Sequence, residues 1–546
     1  MLRVSVCVIG LAFTAPAQPA LSGAVNAASY MPPGMPSSAI AQGSLFSVFG
    51  TNLGPASYTV ASSFPLPTNL AGTTLSVTVK GVTKPAILLS AGQYQINAIL
   101  PSDIPAGTGT LTATVNGQAS GALQIQVTSA AFGIFTFASS GIGQAVVTDP
   151  SYVPNSVIHT FHPGDVAILW GTGLGPINGS DAGLPPTGNL PGDVQVIAGN
   201  SQAQVSYHGR SGCCAGVDQI VFTVPPGVDG CSVPVSVQAN GQTSNFPTIA
   251  VSSSGNTCSD SPLGSALLDK LASGQDVAFS YIRLEDAIMR FQKLSLAASY
   301  SDFATATFSR YSPSTAGLAQ YGVSSGYCIA VPCPGFRCAV NGAYTLTDMS
   351  PANLDAGSAL SLASGGPIPV PKVNGAGEYW AILNSNTNPR YLWPGAAYSV
   401  SGTGGKSVGA FSVSGRGGLA GVQFTNVTAT QAIPRNAAFT VQWSGGDPSI
   451  QSGQVTLGGY SAADSTYIQL TYFQCQAPAS AGQLTIPASI LSMLPATGTG
   501  QSGSITYPLG WLWIGQYDNP VSFSAPGLDS GIITDIFFNG FGVYFQ

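Results

Sequence analysis

The phrase GSLFSVFGTNLGP, Gly43 to Pro55, returns as GDVAILWGTGLGP, Gly164 to Pro176. The echo continues in unchanged order. PLPTNL, QYQINAILP and LTATVNGQAS follow the first copy; LPPTGNL, VDQIVFTVP and VSVQANGQTS follow the second. Self-similarity at about 120 residues marks a duplicated domain, because solenoid repeats have shorter periods.

Each copy reads as strands. LFSVFG and VAILWG are short apolar runs ended by glycine, and TLSVTVKG and LTATVNG alternate with period two before turn residues. Asn116-Gly117 and Asn240-Gly241 are hairpin signals, since both residue types accept the positive φ of a type I′ turn. This pattern predicts a mainly β chain with tandem immunoglobulin-like β-sandwiches, over residues 24–129 and 130–254. Gly50 and Gly171 should occupy equivalent positions at the ends of equivalent strands. A phosphate-cradling role for the glycines would need a helix start after them, and Pro55 and Pro176 lead into loop instead.

The order NAASY, GSLFSVFGTNLGP, PLPTNLAGTTLSVTVKG, QYQINAILP, VNGQAS resembles the uncharacterised repeat domain of secreted proteins of soil acidobacteria named after Solibacter. That domain is similar in turn to IPT/TIG immunoglobulin-like sandwiches. The resemblance covers residues 24 to about 254, twice over, and implies an extracellular fold; no catalytic residues come with it. The second copy departs by inserting YHGRSGCCAG where the first has ILLSAG.

At 546 residues the chain exceeds one core, and 7% charged residues with 68 Gly and 40 Pro suit many short strands and turns. A net charge of −6 without a Lys/Arg cluster argues against nucleic acid. Arg3, an apolar run from Val4 to Phe13 and Ala15-Pro16-Ala17 read as a signal peptide over residues 1–17. No segment has the roughly 20 apolar residues of a membrane span. Apart from Cys7 in that leader, eight cysteines remain: Cys213, Cys214, Cys231, Cys258, Cys328, Cys333, Cys338 and Cys475. In an exported chain they are disulfide candidates, expected to bond within each group of four. Cys231 is expected to pair with Cys213 or Cys214, because adjacent cysteines seldom bond each other. Metal binding by Cys213 and Cys214 with His208 is the rival reading, and no paired ligand spacing supports it.

Residues 261–300 are expected to form a helical connector. Val277, Tyr281, Leu284, Ile288 and Phe291 follow a 4,3,4,3 spacing with Arg283, Glu285, Asp286, Arg290 and Lys293 between them. Strand signals return over residues 301–546, as one large or two small antiparallel sandwiches. Phrases such as LDAGSALSL and FTVQWSGGDP resemble C-terminal β domains found beside the same repeat.

Candidate chemistry is sparse. Gly405-Lys406-Ser407-Val408-Gly409 matches the nucleophile-elbow pattern, but its surroundings read as strand, turn, strand rather than strand into helix. His159 and His162 sit in a loop entering a strand. Only two Glu occur, Glu285 and Glu378, and Asp218 and Asp229 read as turn formers. No catalytic site, metal or cofactor is expected. Trp511, Trp513 and Tyr517 are two and four apart on one strand face, and form either part of a buried central strand or an exposed platform suited to sugar rings. The expected role is an exported cell-surface or extracellular binding or structural protein, whose partner is polysaccharide or another surface protein. The alternatives are a secreted carbohydrate-active enzyme, which would show a deep cleft with paired Asp carboxylates, and a subunit of a secreted assembly.

Overall fold

The computed structural model describes residues 18–35, 37–290, 299–319, 322–333, 351–363, 366–373, 377–384, 390–393, 395–416, 421–450 and 453–546, and strands dominate them. The expected leader, Phe291, Lys293 and Cys338 lie outside these residues. None of the described helices is long and apolar enough to cross a membrane.

The first repeat contributes β1 (Ala20–Asn26), β2 (Leu45–Thr51), β3 (Thr73–Val79), β4 (Ile87–Ala91), β5 (Gln95–Ile99), β6 (Gly107–Val115) and β7 (Leu123–Thr128). One sheet runs β1-β2-β5-β4 and the other β7-β6-β3. The alternation TTLSVTV buries Leu75, Val77 and Val79 on one face of β3, against Phe46, Val48 and Ile96 of the opposing sheet. This is the expected sandwich.

The second repeat contributes β8 (Val166–Thr172), β9 (Val194–Ala198), β10 (Ser201–Arg210), β11 (Asp218–Thr223) and β12 (Gly230–Ala239), in the order β8-β11-β10-β9-β12. Ser201 to Ala203 of β10 pair with β9, and Gln204 to Arg210 pair with β11, with a bulge between Val205 and Tyr207. The bulge lies just past this change of partner, where it bends the strand as it passes between the layers. Leu169, Ile220 and Phe222 meet Val196, Val235 and Val237 between the layers.

Gly50 and Gly171 are equivalent. Each lies next to last in its strand, paired with the strand that enters its sandwich: Gly50 with Leu21, Gly171 with Ile134. A Cβ on Gly50 would stand 2.0 Å from Ala20 O, and one on Gly171 2.3 Å from Gly133 O. Close approach of a neighbouring backbone requires both glycines. The two Asn-Gly turns also match, with φ of 49° and 84° in the first and 49° and 79° in the second.

The sandwiches meet across a buried seam. Arg210 and Asp218, 2% and 0% exposed, form an ion pair inside it. Arg210 Nη2 donates to Gly43 O of the first repeat at 2.9 Å and to Gly175 O of the second at 2.7 Å. Asp218 accepts the backbone N–H groups of Gly173 and Leu174 at 2.7 and 2.8 Å. Asp218 is therefore a buried anion, not the turn former its sequence context suggested. The repeated GTGLGP phrase of the second copy supplies two of its partners, and Gly175 of the same phrase accepts from Arg210.

The third part corrects two expectations. A helix, α1 (Gly264–Ala272), is present, but the segment read as an amphipathic helix is a strand, β13 (Val277–Arg290). It pairs with β14 (Ser299–Tyr311) from Val277↔Tyr311 to Met289↔Ser299. Both faces of β13 are largely covered, so apolar residues fall on each, and the two period-two rows interleave into a spacing that mimics a helix.

The other main strands of this part's largest sheet are β15 (Cys328–Pro332), β16 (Ala359–Ala363), β17 (Pro367–Val373), β18 (Glu378–Ile382), β19 (Ala397–Gly402), β20 (Phe411–Arg416), β21 (Gln454–Ala462), β22 (Leu470–Pro478), β23 (Gly510–Tyr517) and β24 (Ser530–Gly542). They join one sheet in the order β15-β22-β21-β23-β24-β13-β14-β18-β17-β16-β19-β20. It is one large sheet, and it is mixed, because β13 and β24 run parallel. Leu457, Phe473, Leu512 and Ile514 anchor a core under one end, and Ile282, Leu284, Phe308, Tyr379 and Val400 anchor another as the far strands curl back.

Three disulfides are described: Cys213–Cys214, Cys231–Cys258 and Cys328–Cys475. Cys333 is disulfide-bonded as well. All three pairs fall within the expected groups of four. Cys231 does not pair with Cys213 or Cys214: it reaches Cys258 beside it, 5.2 Å away between Cα atoms, and leaves the adjacent cysteines to bond each other.

The seam makes a specific prediction. Asp218→Ala strands a buried guanidinium and should cost about 3–5 kcal/mol in urea denaturation, whereas Arg210→Met with Asp218→Leu should recover most of that loss.

Candidate functional site

Strand register assembles a polar and aromatic face on the large sheet. Residues directly opposite on paired strands share a face, so Tyr517 of β23, Ile536 of β24, Glu285 of β13, Phe303 of β14 and Ile382 of β18 form one rank. The next rank holds Thr534, Arg283, Thr305 and Trp380. Five strands at about 4.8 Å spacing make the first rank roughly 19 Å wide.

Trp380 and Ile382 are 46% and 55% exposed. The Trp380 ring stacks on Phe303 with centroids 6.4 Å apart and planes 30° apart. In EYWAIL, Tyr379 and Ala381 turn into the core, where the Tyr379 hydroxyl donates to Gly357 O at 2.8 Å. Period two then sends Trp380 and Ile382 outward. Beside them Arg283 Nε lies 2.5 Å from Glu285 Oε1. Burial works against the guanidinium's charge, and Glu285 with the neighbouring Tyr517, Tyr281 and Tyr472 more than restores it, so Arg283 titrates above its ordinary value.

The tryptophans singled out from sequence are placed differently. Trp513 is buried, with its ring 4.2 Å from that of Phe538 and packed on Ala287 and Ile536. Trp511 is half-buried, edge-on to Tyr460 at 6.2 Å, and its Nε1 has no hydrogen-bond partner. Tyr517 is half-buried and hydrogen-bonded to Arg283. Trp511 and Trp513 thus belong to the flank of a central strand, and Tyr517 alone reaches the rank that carries Ile382. The exposed indole was missed because period two says which residues share a face, not which face is open.

Paired Asp carboxylates do occur, beneath this face. Asp286 and Asp302 oppose each other across β13 and β14 and are hydrogen-bonded together. Arg390 pairs with Asp286, and the Tyr391 and Leu392 N–H groups donate to Asp302. Burial raises both carboxyls, and at Asp286 the neighbouring Asp302 adds to the rise. On β24, burial and Asp518 push Asp535 up to about 8. The cavity that Asp286 and Asp535 border, with Leu284, Leu392, Trp393 and Tyr398, holds about 10 Å³, room for one water. A sugar ring does not fit there.

The other candidates have separate duties. His159 contacts Asp149 at 3.3 Å, while His162 contacts Asp165 at 3.3 Å and Gly255 O at 3.1 Å, so they do not converge. Asp229 accepts the Ser253 N–H at 2.7 Å. Ser407 lies in the turn between β19 and β20, with its N–H bound to Asp355 O. Among the described residues one group could gather a metal, Cys231, Cys258 and Asp260, and its two sulfurs are joined in a disulfide. His208 is not part of it, nor are Cys213 and Cys214.

No protein-family description matches the chain, and no curated protein does. Solved structures that match the chain include the I9–I11 tandem of titin (9% identity, 68% of this chain and 93% of that one, TM-score 0.12). Immunoglobulin domains 1–4 of Sidekick-1 match with 10% identity over 94% and 97% of the two chains, TM-score 0.13. The Bacteroides ovatus mixed-linkage glucan utilization locus SGBP-B, in complex with a mixed-linkage heptasaccharide, matches with 12% identity over 64% and 69%, TM-score 0.20. At these TM-scores no argument is taken from them; the architecture rests on the strand pairing described above.

The buried carboxyls set a pH dependence. Their folded-state values lie above the roughly 4 of an unfolded Asp, so folding holds protons that the unfolded chain has released. Stability of the large sheet should fall as pH rises from about 4 to about 8 and level off beyond. Thermal denaturation should give a higher Tm at pH 5 than at pH 8.5, and Asp535→Asn should flatten that difference.

Proposed function

We propose that this protein is exported and acts at the cell surface or outside it as a non-catalytic binding protein, with the Trp380 face of its large sheet taking polysaccharide. The leader-like residues 1–17, the oxidised cysteines and the resemblance of both repeats to secreted acidobacterial domains support export. The single observation that carries the binding reading is the exposed Trp380 stacked on the half-buried Phe303, beside Ile382 and the Arg283–Glu285 pair. Flat apolar rings offer area to the C–H faces of a sugar, and a charged donor with a charged acceptor can both bond its hydroxyls. The cavity at the Asp cluster has room for one water and none for a sugar ring, which counts against the carbohydrate-active enzyme at those carboxyls.

Pull-down on insoluble polysaccharides tests it. Trp380→Ala with Ile382→Ser should lower retention at least tenfold while Tm stays within a few degrees. Unchanged retention by the folded variant would refute the assignment. Trp513→Ala, by contrast, empties a packed site and should cost about 3–5 kcal/mol of stability.

A further inference from the structure

The loop that the second repeat inserts between β10 and β11 does two things at once. At its tip Cys213 and Cys214 are bonded to each other and exposed. Directly after them, Ala215 is buried with Leu45, Ile87 and Ile99 of the first sandwich. Gly216 packs so closely there that a Cβ would lie 2.9 Å from Leu45 Cγ and 3.0 Å from Ile99 Cγ1. Gly216 O accepts the Thr172 hydroxyl at 2.6 Å, and that hydroxyl accepts the Leu45 N–H at 2.8 Å. Just before the cysteines stands Arg210, which bridges both sandwiches. The loop is closed by Ser211 N–H to Val217 O and Val217 N–H to Cys214 O.

The other described half-cystines are shielded. Cys231, Cys258, Cys328, Cys333 and Cys475 are between 0% and 6% exposed. Thiol–disulfide exchange requires access to sulfur, and exposed disulfides are the labile ones. A bond between adjacent residues also closes a ring through one peptide unit, so it restricts the backbone that places Ala215 and Gly216.

We propose that Cys213–Cys214 is a reversible redox modification site, opened by low-molecular-weight thiols, and that its state sets how firmly the two sandwiches are clasped. The thiolate of one reductant molecule attacks Sγ of either cysteine, breaking the S–S bond and leaving a mixed disulfide and a cysteine thiolate. A second reductant thiolate attacks the reductant's own sulfur in the mixed disulfide, forming the reductant disulfide and releasing the second cysteine as a thiolate. Two electrons pass to the protein: Cys213 and Cys214 become thiols carrying the two protons of the reductant, which leaves as its own disulfide. Reduction frees the backbone at the loop tip, and the Ala215–Gly216 contact and the Leu45–Thr172–Gly216 chain loosen with it.

The test uses the full chain in native buffer. Brief treatment with about 1 mM dithiothreitol, alkylation and peptide mass mapping should label Cys213 and Cys214 and spare the five shielded cysteines. Hydrogen exchange should then show the Leu45, Gly173 and Leu174 amides at least tenfold faster in the reduced protein, with the β13–β24 amides unchanged. A Cys213→Ser, Cys214→Ser double variant should exchange like the reduced protein and ignore the reductant. Labelling of the shielded cysteines first or equally, or Cys213 and Cys214 recovered as free thiols without reductant, would overturn the site. Seam amides that exchange alike in oxidised and reduced wild type would overturn the clasp, whether or not the double variant folds.

Discussion

The arrangement of the two repeats depends on a guanidinium and a carboxylate removed from water together. Either charge alone in the seam would cost several kcal/mol. The structure meets that cost with geometry: Arg210 is divided among Asp218 and two carbonyls on different sandwiches, and Asp218 is held by two N–H groups of the turn that ends β8. Such a pair contributes little net stability compared with apolar residues. It tolerates few alternatives, because a tilt of one sandwich would leave Gly43 O out of reach and a buried donor unpaired. It defines one relative orientation.

That dependence explains what the sequence revealed and what it withheld. The duplication, the sandwich class, the Asn-Gly turns and the close-packed Gly50 and Gly171 are local features with local causes, and all were legible. Arg210 was visible only as part of an insertion without a counterpart in the first copy. Nothing nearby in sequence announces that its partners include Gly43, 167 positions earlier. The vicinal disulfide belongs to the same class. Which cysteines meet is decided by where β12 and the loop before α1 lie, and that placement brings Cys258 to Cys231.

The large sheet shows a second kind of illegibility. β13 carries Arg283 and Glu285 on one face and Asp286 on the other. Charges in a sheet centre are so uncommon that charged helix was the natural reading. The structure accommodates them by pairing each one: Arg283 with Glu285, Asp286 with Arg390, and Asp302 with the N–H groups of Tyr391 and Leu392. Trp380 and Trp513 show the converse. Both sit on period-two strands of similar composition, and only the neighbouring layers determine that one is open and the other covered.

The parallel pairing of β13 with β24 also bears on how such a chain acquires its structure. Arg290 bonds Asn539 across 249 positions, and the strands between them attach outward on both sides. The middle of the sheet therefore cannot close until β24 has been synthesised, and a pairing of this sequence separation is slow because the entropy of closing the intervening chain must be overcome first. A polypeptide crossing a membrane unfolded has the same requirement. The topology delays the third part until β24 is available, while the two repeats, built from contacts within about 120 residues, are free to form as they emerge.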